Sequence, residues 1–212
     1  MLRSGRTIPS PYPAKVDFFF GYGSLVNRAT HAHDPAHPAR ITGWRRVWRH
    51  LPGRQFATLS VRPAPSETID GLIAGVAAAD WPALDQREAL YERTEVTGAV
   101  DHDGPEAARI QIYQVTRPEA EDTRLPILLS YLDVVVQGYH QVFGCKGVDQ
   151  FFATTDGWDG VILDDRTTPI YPRHQSLTPS ERAMVDAAVT DLPAQVQEAH
   201  QTALAGKGFD LA

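Results

Sequence analysis

The sequence predicts an α+β domain on a mixed, curled β-sheet, a small barrel-like sheet with flanking helices. Three observations carry that reading. Strand-like runs come in a block, break for one short helix, resume, and give way to helices, which is not the alternation of a parallel doubly wound sheet. The chain has 212 residues, 42% hydrophobic and 22% charged, which is enough apolar mass for one good core. No internal repeat or low-complexity tract divides it. Residues 1–212 are therefore expected to form a single domain, with an irregular arm at about 1–15 and a helical C-terminal region.

Each element has its own signal. The arm holds Pro9, Pro11 and Pro13. Residues 16–20 read as a strand. Residues 27–40 are polar and proline-broken and read as a loop. Three strand-like runs follow at 41–49, 56–63 and 70–78, the last two separated by a turn-rich link at 64–69. Asp80 is a suitable N-cap and Pro82 fits a first helical turn, so a helix is expected from there to about Tyr91. Residues 95–100 and 108–115 alternate like paired strands around a turn at 101–107. Residues 125–144 predict a long amphipathic helix, with Pro126 near its start and Gly144 as its stop. Residues 153–175, rich in Asp, Gly, Thr and Pro, read as a loop. Thr178-Pro179-Ser180-Glu181 is a capping box that opens a last helix.

Composition excludes several function classes. The formal net charge is −6, from 20 basic and 26 acidic residues, which argues against a nucleic-acid or membrane-surface partner. The one cysteine, Cys145, supports neither an internal disulfide nor a cysteine-based zinc motif, and makes a reducing compartment the default. The N-terminal stretch has no apolar segment of the secretory kind, and no run reaches the length of a membrane-spanning helix, so a cytoplasmic location is expected.

Two stretches carry chemistry. The first is Phe18-Phe19-Phe20-Gly21-Tyr22-Gly23-Ser24-Leu25. A phenylalanine run builds a buried strand, but two glycines around a tyrosine do not continue one. Glycine tolerates φ > 0 and close approach of backbone or ligand. Such a turn can leave the amides of Tyr22, Gly23, Ser24 and Leu25 free of strand pairing, and successive free amides can curl around a carboxylate or oxyanion. The alternative is a tight turn off an edge strand with Tyr22 packed on the core. The second stretch is Leu84-Asp85-Gln86-Arg87-Glu88, followed by Tyr91. Leu84, Glu88 and Tyr91 fall on one helical face, so Glu88 takes a slot where an inward stripe expects an apolar residue. None of its i±3 and i±4 neighbours is cationic. Burial and the neighbouring acids Asp85 and Glu92 would raise its pKa and fit it to accept a proton near neutral pH. Arg87 would act the other way. If the helix is rotated, Glu88 simply faces water.

These two stretches, in this order and about sixty residues apart, resemble the γ-glutamylcyclotransferase superfamily, including its ChaC-like and AIG2-like members. "YLDVVVQGY", "TTDGW" and "YPRH" extend the likeness to about residue 174. The resemblance implies a γ-glutamylcyclotransferase-like fold and cyclisation of a γ-glutamyl amide to 5-oxoproline with release of the amine. The leaving partner would be an amino acid, an amine or the remainder of glutathione. It implies that Tyr22, Gly23, Ser24 and Leu25 hold the substrate and that Glu88 is the acid/base, with Tyr91 as a further contact. No metal or other cofactor is implied. A non-catalytic module binding γ-glutamyl compounds on the same fold is the alternative.

Other features suggest less. His31, His33 and His37 share a loop and can bind zinc, but prolines break the loop and no ligand-bearing helix adjoins it. Arg45, Arg46, Arg49 and Arg54 lie among two tryptophans. Strand alternation splits them between two faces, as at a solvated strand edge, and one can steer an anionic substrate. Arg173, on a surface loop, can reach a ligand. The 131–136 stripe reads as core. Cys145 follows a glycine at a helix end and has no adjacent histidine.

Overall fold

The computed structural model describes residues 16–117 and 124–199; the predicted arm at 1–15 lies outside them. The elements in chain order are β1 (Val16–Gly21), β2 (Ala36–Arg49), β3 (Thr58–Val76), α1 (Trp81–Arg87), β4 (Glu92–Glu95), β5 (Val100–His102), β6 (Ala107–Gln114), β7 (Ile127–Leu128), α2 (Leu129–Ala153), β8 (Thr155–Asp156), β9 (Val161–Asp164), α3 (Pro179–Thr190) and β10 (Gln195–Glu198). Among the described residues the main sheet runs β4-β6-β1-β3-β2-β5, with β8 also on β2, and it curls into an open half-barrel. β1 pairs antiparallel with β3 and parallel with β6, so the sheet is mixed, as the element order predicts. A small sheet, β10-β9-β7, lies beside it.

The phenylalanine run has a direct packing reason. β1 is central and covered on both faces. Phe18 and Phe20 enter the main core with Ile41, Ile73, Val135 and Tyr139, while Phe19 points the other way onto Leu84 of α1.

Several boundaries differ from the sequence reading. β2 starts at Ala36, inside the expected loop. Pro38 is tolerated because β5 joins that side of β2 only from Ala39 onward. β3 is one continuous strand through the expected link at 64–69. Its register against β2 jumps between Thr42 and Trp44, at Gly43 with φ +89°, and the unpaired Pro65 falls in that jump. The expected loop at 153–175 contains β8 and β9, which partner strands draw into order. Ser24–Val26, Arg28–Thr30 and Thr97–Ala99 are single 3₁₀ turns.

α2 starts at Leu129, later than expected, because Ile127–Leu128 first pair with β9. It is not amphipathic over its first three turns: Leu132 through Tyr139 are all buried. The half-barrel, β9 and α3 enclose it. Gly144, with φ +68°, interrupts the helix as expected, but a second helical segment follows it to Ala153. The capping box forms as predicted: the Thr178 hydroxyl accepts from the Glu181 amide, and the Thr178 amide donates to Oε2 of Glu181 at 2.8 Å.

Arg46 corrects the expectation of a solvated arginine edge. It is fully buried. It donates to the Tyr22 carbonyl at 3.1 Å, the Thr154 hydroxyl at 2.7 Å, the Asp70 carbonyl and the Tyr139 hydroxyl. Its guanidinium also lies over the Tyr139 and Phe151 rings, 5.0 and 5.3 Å from their centroids. These contacts offset the desolvation that an interior cation suffers. Arg45 is itself only 19% exposed and shares Asp156 with the more open Arg62, at 2.8 Å each.

Candidate active site

A cleft of about 690 Å³, measured out to its open mouth, is lined by residues from both predicted motifs. Tyr22, Gly23, Ser24, Leu25, Glu88 and Tyr91 all reach it. The sequence reading did not place Tyr113, Tyr131 and Tyr171 there.

The glycine-tyrosine-glycine corner ends β1 and enters a one-turn 3₁₀ helix closed by Val26 N–H to Gly23 O at 3.0 Å. The amides of Ser24 and Leu25 precede that first bond and so have no carbonyl within the turn. Neither glycine has a positive φ. Glycine is needed here for close approach. A Cβ at Gly21 would lie 2.7 Å from Cβ of Leu25, and one at Gly23 would lie 2.6 Å from the Tyr131 hydroxyl. Tyr22 packs on the core and also borders the cleft, at the end of a central strand and not of an edge strand. Its ring is buried in the core, its hydroxyl donates to the Tyr113 carbonyl at 2.7 Å, and its edge still borders the cleft.

Glu88 sits at the end of α1, not within it. The helix stops at Arg87, and Glu88 is its C-terminal cap, with its amide bonded to Leu84 O at 3.0 Å. The chain must leave the helix there because β4 begins four residues later, against Gln114. Tyr91 therefore reaches the cleft through the turn after α1, where its amide bonds Glu88 O at 2.8 Å; it does not share a helical face with Glu88. The Tyr91 hydroxyl donates to Leu59 O at 2.9 Å.

The Glu88 side chain is only 14% exposed. Burial raises its pKa above the ordinary 4.5, while the positive charges of Arg87 and then Arg173 pull it back. The expected push from Asp85 and Glu92 is absent. Asp85 is taken up by the Tyr113 hydroxyl at 2.7 Å and by Arg93 at 3.1 Å, and Glu92 is exposed on β4. Arg87 pairs with Glu88 at 3.1 Å and also donates to Thr30 O at 2.9 Å, so it links the end of α1 to the turn after β1. Burial holds Tyr22, Tyr91 and Tyr131 far above the ordinary phenol value, so they are neutral hydrogen-bonding groups.

The third wall comes from beyond residue 165. Buried Asp165 accepts from Ser130 N at 2.8 Å, Ser130 Oγ at 2.5 Å and Ile170 N at 2.8 Å, which clasps this segment to the start of α2. Tyr171, Pro172 and Arg173 then border the cleft, and Tyr171 meets Tyr131 edge-on at 4.9 Å. A tyrosine inside the aliphatic 131–136 stripe was the available signal for Tyr131. Tyr171 opens the stretch "YPRH", one of those that extend the family likeness, and that was its only signal in the sequence.

The histidines support the turn from outside. His31 Nε2 donates to Leu25 O at 3.0 Å while its Nδ1 accepts from His33 N at 3.2 Å, so the ring is neutral. Burial pulls its pKa down to about 4. Among the described residues no three metal-ligating side chains converge. Cys145 is exposed at the α2 interruption, away from the cleft residues.

The sequence profile of the family described as γ-glutamyl cyclotransferase, AIG2-like, matches residues 19–131, which is 113 of the 212 residues. No curated protein matches the sequence. Among solved structures, the chain is similar to a γ-glutamyl cyclotransferase at 14% identity and a TM-score of 0.52, covering 80% of this chain and 98% of that one. It is equally similar to a Homo sapiens protein described as uncharacterized, at 14% identity and TM-score 0.52, covering 80% and 97%. YkqA from Bacillus subtilis matches at 16% identity and TM-score 0.53, over 68% of this chain and 57% of that one. These structural likenesses establish the fold. With the profile match spanning both motifs, the chain belongs to the γ-glutamyl cyclotransferase, AIG2-like family.

Proposed function

We propose that the protein is a γ-glutamylcyclotransferase that closes a small γ-glutamyl amide to 5-oxoproline and releases the amine, with Glu88 as the acid/base. The observation that carries this reading is a buried carboxylate, raised in pKa, bordering the same cleft as the Tyr22–Leu25 turn.

The reaction needs no nucleophile from the protein. The substrate's α-amine attacks its own γ-carbonyl. That amine is an ammonium at neutral pH, and Glu88 takes its proton. The proton on Glu88 then passes to the leaving nitrogen as its C–N bond breaks, and the ring nitrogen sheds its second proton, so that the released amine departs as an ammonium. General acid–base help of this kind is worth about 10²–10⁴-fold. Holding the chain folded for five-membered closure supplies the rest through proximity. The amides of the turn are candidates to meet the α-carboxylate or the tetrahedral oxyanion, and Tyr91 is a further contact. The buried Arg46 supports the turn from behind through the Tyr22 carbonyl. A chain with a single cysteine suits a reducing compartment, and we assign the protein to the cytoplasm on that ground; separately, no described helix is long and apolar enough to cross a membrane.

The test is Glu88→Gln, nearly isosteric. Wild type and variant are incubated with γ-glutamyl amino acids, glutathione and γ-glutamyl amines, and 5-oxoproline is measured by mass. Product from the wild type, with at least a hundredfold loss in a folded variant, supports the assignment; full activity in the variant ends it. The Arg87 ion pair favours a second reading, because it works against the basicity of Glu88. On that reading the protein is a binding module, γ-glutamyl compounds raise its melting temperature, and no 5-oxoproline forms.

A further inference from the structure

The charges around the cleft do not cancel. Glu88 is balanced by Arg87, 3.1 Å away. Arg173 is half-buried on the cleft wall, and among the described residues it forms no ion pair within 4 Å. The wall that carries it is fixed, because Asp165 and Ser130 hold the segment through Ile170 N and Tyr171 N. It also lies outside residues 19–131, the part this chain shares with the family profile. The cleft thus has one surplus positive charge on a prearranged arm.

We propose that Arg173 is a carboxylate anchor for the substrate, receiving a carboxylate in the planar two-point manner of a guanidinium. This rests on the γ-glutamyl reading above and adds the substrate class. A γ-glutamyl group alone is zwitterionic, one ammonium and one carboxylate. A leaving group that is itself an amino acid adds a second carboxylate and brings the ligand to −1, which complements the cleft. The γ-glutamyl group's own carboxylate is the other possible source.

Anchoring also touches the chemistry. The groups facing Glu88 are Arg87 from α1, Arg173 from the 165–175 segment, and the neutral phenols of Tyr22, Tyr91, Tyr113 and Tyr131. Of these, the two arginines pull its pKa down. A carboxylate on Arg173 would cancel one of those pulls as the substrate's ammonium must be deprotonated.

The test compares γ-glutamylalanine with γ-glutamylethylamine, which differ only in the carboxylate of the leaving group. Wild type, Arg173→Met and Arg173→Lys are assayed for kcat and KM. Loss of a charge-assisted hydrogen bond predicts that Arg173→Met raises KM for γ-glutamylalanine about 10- to 100-fold. That rise should exceed the rise for γ-glutamylethylamine at least tenfold, with partial recovery in Arg173→Lys. Equal KM rises on both substrates, with weaker inhibition by 5-oxoproline, support the anchor and assign it to the γ-glutamyl group's own carboxylate. Unchanged KM for both, or a loss in kcat alone, overturns the anchor.

If the wild type forms no 5-oxoproline from any substrate, the enzymatic reading fails and the anchor is read by binding. A melting shift with γ-glutamylalanine that is present in the wild type and lost in Arg173→Met sustains it. Equal shifts in the two proteins, or none in either, overturn it.

Discussion

Glu88 couples activity to stability at the scale of one residue. Its folded pKa lies above the ordinary 4.5, so between those two values the folded state holds a proton that the unfolded chain has released. Its contribution to stability is therefore fully present below about 4.5 and is lost as pH rises through the raised value. Glu88→Gln mimics the protonated form. The variant should melt higher than the wild type at pH 7–8, by about 2–4 °C per kcal/mol relieved, and the two should converge near pH 4. Calorimetry across that range checks it. The activity follows the same group in the opposite sense: kcat/KM should fall as pH drops through a midpoint above 4.5. The sequence made Glu88 legible because a carboxylate stood in a motif beside an apolar position. Burial as the raising cause and the opposing pull of Arg87 were legible too; the further pull of Arg173, 85 positions downstream, was not.

At the scale of elements, the turn after β1 is held by its docking on α2. Asn27 is fully buried and donates to the Val134 carbonyl and the Gln137 side chain, each at 2.9 Å. A Cβ on Gly138 would lie 2.7 Å from the Asn27 amide nitrogen, which is backbone and cannot swing away. Gly138→Ala should therefore destabilise by about 1–3 kcal/mol, although alanine is the better helix former by about 1 kcal/mol. Urea denaturation measures the sign; a net gain in stability would refute the close docking. Helix α2 was legible as a helix, but its all-round burial was not. The same limit applied to α1, which ends four residues before Tyr91 because the sheet edge claims the chain. Local propensity predicts that a helix starts; it does not report a distant strand that stops it.

Across the whole molecule, the cleft is closed by joining its two ends. Asp165, 1% exposed, accepts three hydrogen bonds that bring the 165–175 segment against the start of α2. Asp165→Ala leaves three donors without that acceptor, and a loss of about 3–5 kcal/mol is expected. Amide exchange at Ile170 and Tyr171 should accelerate ahead of exchange in β1. Equal protection in the variant would show that the clasp does not position the wall.

By itself, the sequence determined the α+β class, the buried first strand, the capping box of α3 and the six cleft residues in the two motifs. Those features rest on local chemistry: side-chain period, glycine spacing and capping groups. Only the tertiary structure decided that β3 runs unbroken, that Arg46 is interior, and that Tyr131, Tyr171 and Arg173 border the cleft that Glu88 borders. Each depends on contacts between residues far apart in the chain, and no local pattern encodes which distant partner will satisfy a buried charge or hydroxyl.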